Sequence, residues 1–116
     1  MAYVDGFLVP LPKDKVEQYR ALASTMADMW REFGALSVVE AIADDAPYGD
    51  LTSFPRAVQQ SAGETVVFST ITYRDRAHRD EVNARFMADP RMRALDMAFI
   101  DGKRMVWGGF EVLVQR

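Results

Sequence analysis

The stretch ETVVFSTITYRDRAH, Glu64 to His78, decides the fold, because its first part reads as a central strand and its second as the capped start of a helix. From Val66 to Tyr73 every side chain but Ser69 is β-branched or aromatic, a composition that fits a pleated surface. Alternation along the strand puts Val66, Phe68, Thr70 and Thr72 on one face and Val67, Ser69, Ile71 and Tyr73 on the other. Both faces carry large apolar groups, so cover is expected on both sides. Asp75 then stands where an N-cap is wanted, and Ala77, His78, Val82 and Phe86 fall along one side of a helix from Arg76 to Ala88.

Working outward, Tyr3 to Val9 reads as a first strand closed by Pro10 and Pro12. From Lys13 to Phe33 apolar residues recur at Val16, Tyr19, Ala23, Met26, Ala27, Trp30 and Phe33, the three- and four-residue spacing of an amphipathic helix, stopped at Gly34. Leu36 to Ile42 is a second strand. Beyond it come twenty residues rich in turn formers, from Asp44 to Gly63, with the triplet Ser53-Phe54-Pro55 predicted to order the segment by packing Phe54. On the far side of the central stretch, Asp89-Pro90 signals a second short helix over Arg91 to Met97, Asp101-Gly102 a turn, and Lys103 to Val114 the last strand. Gly108-Gly109 within it marks a bulge or a close backbone approach.

The order β, α, β, β, α, β predicts an α+β, ferredoxin-like fold: a four-stranded antiparallel sheet with both helices on one face, in a single domain spanning residues 1–116. The other face is then bare, with Phe7, Val38, Ile42 and Trp107 as candidates to lie on it, more apolar area than a monomer usually exposes. A homodimer with its two sheets face to face is expected, burying on the order of 1,500 Å² in total.

Half the 116 residues are hydrophobic (49%) and about a quarter charged (27%), an ordinary globular composition that argues against disorder. The absence of cysteine removes disulfides, thiolate metal sites and catalytic thiols, and suits a cytoplasmic location. The N-terminus lacks the pattern of a signal peptide, and no run approaches the ~20 apolar residues of a membrane span. A net charge of -3 opposes phosphate-backbone binding, so no nucleic-acid partner and no membrane is expected.

Several segments together carry a family likeness: YVDGF, SFP, TYRDRAHRDEVN, MADPRM and DGKRMVWGGFEVLV. Over essentially its whole length the chain resembles the YbaA-like family of uncharacterised bacterial proteins, a domain-of-unknown-function family within the dimeric α/β-barrel superfamily. The resemblance implies the fold and a two-fold dimeric barrel, but no catalytic residues. Members of the wider superfamily range from cofactor-independent monooxygenases and isomerases to haem-degrading enzymes, so fold alone does not select a reaction.

Candidate chemistry rests on few residues. Asp5, Glu40 and Glu111 occur inside strand patterns, where desolvation and mutual repulsion favour a carboxylate with a raised pKa, suited to a general base. The plainer reading pairs each with a cation such as Arg74 or Arg104. His78, the only histidine, would be a proton carrier, or else a first-turn residue bonded near the Asp75 cap; alone it excludes a multi-histidine zinc site. Tyr73, Trp107, Phe7 and Phe54 are the candidate ligand contacts, and Trp30 and Phe110 complete the aromatic set, with core packing as the alternative. The arginines from Arg74 to Arg93 alternate with acids and read as a solvated face. No metal and no cofactor is expected, since no GxGxxG, P-loop, GxSxG or HExxH pattern occurs. The expected function is binding of a small, partly apolar molecule between sheet and helices. The alternative is a cofactor-independent enzyme using an inward carboxylate with His78.

Overall fold

The structure, a computed structural model, describes residues 2–116. Its elements run β1 (Tyr3–Pro12), α1 (Val16–Glu32), β2 (Ser37–Ile42), α2 (Phe54–Ala57), β3 (Glu64–Tyr73), α3 (Arg76–Ala88) and β4 (Val106–Glu111). The sheet order β2-β3-β1-β4, antiparallel throughout, is the expected ferredoxin-like arrangement, with the Glu64–Tyr73 strand central. Among the described residues no helix is long and apolar enough to cross a membrane.

Local chemistry explains the boundaries. Helix α1 ends in a Schellman turn: Gly34 takes φ +116°, its N–H bonds the Arg31 carbonyl at 3.1 Å, and the Ala35 N–H bonds that of Trp30 at 2.9 Å. The Asp75 carboxylate caps α3 by accepting the His78 N–H at 2.8 Å. Asp89 repeats the device on the Arg91 N–H, but the element it caps is a 3-10 turn over Pro90–Ala94, shorter than the predicted helix. The last strand is also shorter than predicted. Its register with β1 is unbroken from Tyr3–Glu111 to Leu8–Val106, so the two glycines form no bulge.

Gly109 is instead a close approach. A Cβ there would lie 2.4 Å from the Tyr3 hydroxyl oxygen and 2.7 Å from its ring.

Register also decides the faces, and here the expectation is corrected. Phe7 pairs with Ser69 and Trp107, Val38 with Ile71, and Ile42 with Val67, so all four candidates for the bare face lie on the helix-bearing one. Alternation groups side chains but does not say which group the helices cover, and choosing the other group moves every residue across the sheet. The helix-bearing face carries Tyr3, Val9, Leu11, Val67, Ile71 and Tyr73, all buried, with Val82 and Phe86 of α3. Trp30 of α1 stacks on Phe86 with ring centroids 4.1 Å apart, joining the two helices. The opposite face presents Val39, Phe68, Val106 and Phe110, each 42 to 60% exposed.

One end of that open face is covered by the 44–63 segment. Ser53 caps α2 by accepting the Arg56 N–H at 3.0 Å, Phe54 meets Phe68 edge-on at 5.9 Å, and Val58 is fully buried. Arg104 fastens the segment: its guanidinium donates to the Gln59 carbonyl at 3.0 Å and, at 2.9 and 2.7 Å, to both oxygens of Glu64. That fork, with the Ser61 N–H at 2.8 Å, holds the Glu64 pKa down from 4.5 to about 2. A depressed carboxylate stabilises the fold fully above the unfolded value and loses that contribution as pH falls through the folded one. The stability gap between the wild type and Glu64→Gln should therefore be constant above pH 5 and close between about pH 4.5 and 2. Urea midpoints measured across that range check it; a gap independent of pH would disprove the assignment.

Candidate functional site

A cavity of about 620 Å³ lies between the helix-bearing face of the sheet and its covering elements. The floor is Asp5, Phe7 and Val9 of β1, Glu40 of β2, Ser69 and Ile71 of β3 and Trp107 of β4. Helix α1 contributes Tyr19, Met26 and Trp30, and α3 contributes Asn83, Phe86 and Met87. Met92, Met97, Ile100 and Met105, from the chain after α3, close the remaining side. Five of the seven methionines and both tryptophans of the protein thus line one space. The volume falls within the ~300–1,000 Å³ typical of small-molecule sites, and unbranched thioether side chains adapt readily to a ligand's shape.

Two carboxylates enter this apolar space in different states. Asp5 is 1% exposed and bonded to the guanidinium of Arg79 at 2.8 Å, itself only 9% exposed. Arg79 also lies over the Tyr3 ring, 4.9 Å from its centroid, and bonds Asp80 at 2.9 Å. Burial lifts the Asp5 carboxyl above the ordinary carboxylate range, opposed by Arg79 and by hydrogen bonding to Asn83 and Tyr73. Tyr73, fully buried, donates its hydroxyl to Asn83 Oδ1 at 3.3 Å and is pushed up by burial and then by the Asp5 charge. This is the plainer of the two predicted fates for an inward acid, with a different cation from those anticipated. Arg79 does not belong with the solvated arginines; it lies on the buried side of α3, whereas Ala77, expected on that side, is exposed.

Among the described residues no cation bonds Glu40. The Tyr19 hydroxyl donates to its carboxyl oxygens at 3.0 and 3.2 Å, and the Ser69 hydroxyl donates to Oε2. As a residue it is exposed, standing on edge strand β2 between the large cavity and a smaller hollow of about 300 Å³ beside α1, which Tyr19 and Glu40 also line. Desolvation of the carboxyl raises its pKa, against the two hydroxyl bonds that lower it.

The remaining candidates lie elsewhere. His78 does not line the cavity: it is buried in the first turn of α3, its Nδ1 accepting the Arg74 N–H at 3.0 Å and its ring edge-on to Tyr73. Glu111 is exposed at the end of β4, and Phe54 lies on the open side of the sheet. Asp5, Glu40, Phe7 and Trp107 are therefore brought together, with Tyr73 behind Asp5, while His78, Glu111 and Phe54 are not. The sequence alone does not single out Tyr19, Ser69, Asn83 or the methionines as site residues. A signal for Ser69 exists, as the one small hydroxyl in an otherwise bulky strand. Among the described residues no three His, Asp or Glu side chains are grouped to hold a metal ion.

A ferredoxin-like sheet with an apolar cavity under its helices, lined by one buried and one exposed acid, defines the class. The comparison with known families is more specific. Residues 2–102 match the family described as "Protein of unknown function (DUF1428)", and the chain belongs to that family. It is 46% identical over 115 residues to the uncharacterized protein YbaA of Escherichia coli K12, covering 98% of both chains, and equally similar to YbaA of Shigella flexneri. Among solved structures it is similar in fold to a dimeric ferredoxin-like protein from an uncultured marine organism, with a TM-score of 0.65 at 12% identity over 99% of this chain and 98% of that one. It is also similar to a Mycobacterium tuberculosis protein, with a TM-score of 0.58 at 19% identity, covering 98% and 96%.

Proposed function

We propose that this protein is a homodimer, closed through the open sheet faces, in which each chain binds a small, partly apolar molecule in the cavity beneath its helices. The observation that carries the binding reading is the cavity itself, about 620 Å³ of methionine and aromatic wall with carboxylates, hydroxyls and an amide set into it. The dimer rests on the exposed Val39, Phe68, Val106 and Phe110, an apolar patch of the kind that soluble chains keep for a partner, and on the like-folded marine protein described as dimeric. A cysteine-free composition suits a reducing cytoplasm.

Native mass spectrometry of the protein purified from its own host tests both halves. The expected result is a particle of twice the 13.1 kDa chain mass with a small molecule retained in substoichiometric or full amount. A ligand-free spectrum with no cavity binder in a fragment screen would remove the binding reading, and a 13.1 kDa particle at micromolar concentration would remove the dimer. Phe68→Asp, placing a charge within the patch, should convert the dimer to monomer by light scattering while leaving the circular dichroism of the sheet intact.

A second reading, a cofactor-independent oxygenase or isomerase, is supported by the raised proton affinity of Glu40, the carboxylate that no cation among the described residues bonds. Assistance from His78 would need the histidine to leave its bond with Arg74. The enzyme reading requires turnover of the retained molecule, abolished in Glu40→Gln.

A further inference from the structure

We propose that the cavity selects a cation, namely a primary or secondary amine carried on an apolar body, with Glu40 as its counter-ion. The inference rests on the reading of the cavity as a ligand site and names the chemistry that site would take.

Among the described residues the charged side chains on the cavity wall are Asp5 and Glu40, and no lysine, arginine or histidine lines it. The two acids are not equivalent. Asp5 already holds Arg79, whose guanidinium cancels its charge without itself lining the cavity. Among the described residues no cation bridges Glu40, and its bonds come from two neutral hydroxyls, Tyr19 and Ser69. Among the described residues the one basic residue lining the adjoining hollow, Arg20, is engaged with Glu17 at 3.1 Å. One negative charge with no counter-ion among the described residues therefore stands at an apolar wall, where an anionic ligand meets repulsion and an ammonium group meets attraction that solvent screens only in part.

The walls agree with that sign. Trp107, 63% exposed, and Phe7 flank the cavity, and aromatic faces attract cations while repelling anions. Ser69 and Tyr19 spend their protons on Glu40, so their oxygens stay open as acceptors for further N–H groups of an ammonium. The methionines take the hydrocarbon part.

The test uses three probes of one shape: 4-phenylbutylamine, 4-phenyl-1-butanol and 4-phenylbutyrate. Since both tryptophans line the cavity, intrinsic fluorescence of the full-length wild type reads occupancy, with equilibrium dialysis as the second measurement. The amine should bind about five- to tenfold tighter than the alcohol, the margin of one partly desolvated charge pair, and the carboxylate should bind weakest. In Glu40→Gln, which keeps an oxygen for Tyr19 and Ser69, the amine's margin over the alcohol measured in the same variant should fall to within about twofold. The wild-type order is decisive without the variant. Carboxylate or alcohol binding as tightly as amine, or a margin that survives in Glu40→Gln, overturns the selectivity while leaving the cavity as a binding site. Failure of all three probes to bind overturns the proposal together with the binding reading beneath it.

Discussion

Asp5→Ala should cost about 3 kcal/mol of stability, measured as the shift in urea unfolding free energy at pH 7. Removing one partner of a buried ion pair typically costs ~3–5 kcal/mol because the other charge is left without compensation. The value belongs at the lower end here, since Arg79 keeps its bond to the exposed Asp80 at 2.9 Å. Removing both charges should cost less than removing one. Asp5→Leu combined with Arg79→Leu takes away the desolvation penalty as well as the pair, and buried pairs replaced by apolar residues are often neutral or stabilising. The double variant is therefore expected within about 1 kcal/mol of wild type. A double variant as unstable as the sum of its parts would mean that the two charges are not coupled and that each side chain stabilises the fold through other contacts.

The second large effect is expected at Gly109, where the chain tolerates no side chain. Its absent Cβ would fall 2.4 Å from the Tyr3 hydroxyl oxygen. A tyrosine ring can usually swing away, but this one is buried with the Arg79 guanidinium over it and a hydroxyl contact to the same residue at 3.4 Å. Gly109→Ala should cost about 2–3 kcal/mol, the upper part of the usual ~1–3 kcal/mol range for overpacking a filled space. Its cause is separable by a cycle. Tyr3→Ala removes the obstacle, so adding Gly109→Ala to it should cost under ~1 kcal/mol, a coupling larger than distant sites show. Additive losses would place the cost in the strand backbone.

Much of the fold is legible in the sequence because it depends on local signals. Capping by Asp75 and Asp89, the stop at Gly34 and the bulky run from Val66 to Tyr73 each announce themselves within a few residues. Where sequence reasoning fails, the deciding information is long-range. Which of two alternating sets faces the helices depends on how α1 and α3 pack, so Phe7, Val38, Ile42 and Trp107 are grouped together correctly and assigned to the wrong side. Arg79 illustrates the same limit: in a helix of alternating charges nothing marks the one arginine that will meet Asp5, 74 residues away. Helix α2 escapes for a different reason. Ser53 before Phe54-Pro55 is a start signal, but a four-residue helix has no room for periodicity to confirm it.

The candidate site is partly legible. Inward acids are conspicuous because charge is rare inside strands, which marks Asp5 and Glu40. The methionines are conspicuous only after folding, since Met26, Met87, Met92, Met97 and Met105 come from two helices and an irregular segment with no shared spacing.

That convergence of thioethers makes the binding space chemically alterable after folding. Each methionine that takes up an oxygen becomes a polar, chiral sulfoxide, so a wall suited to hydrocarbon turns into one that prefers water. Exposure to peroxide would then erode affinity step by step while leaving the sheet standing, and reductase treatment would restore it.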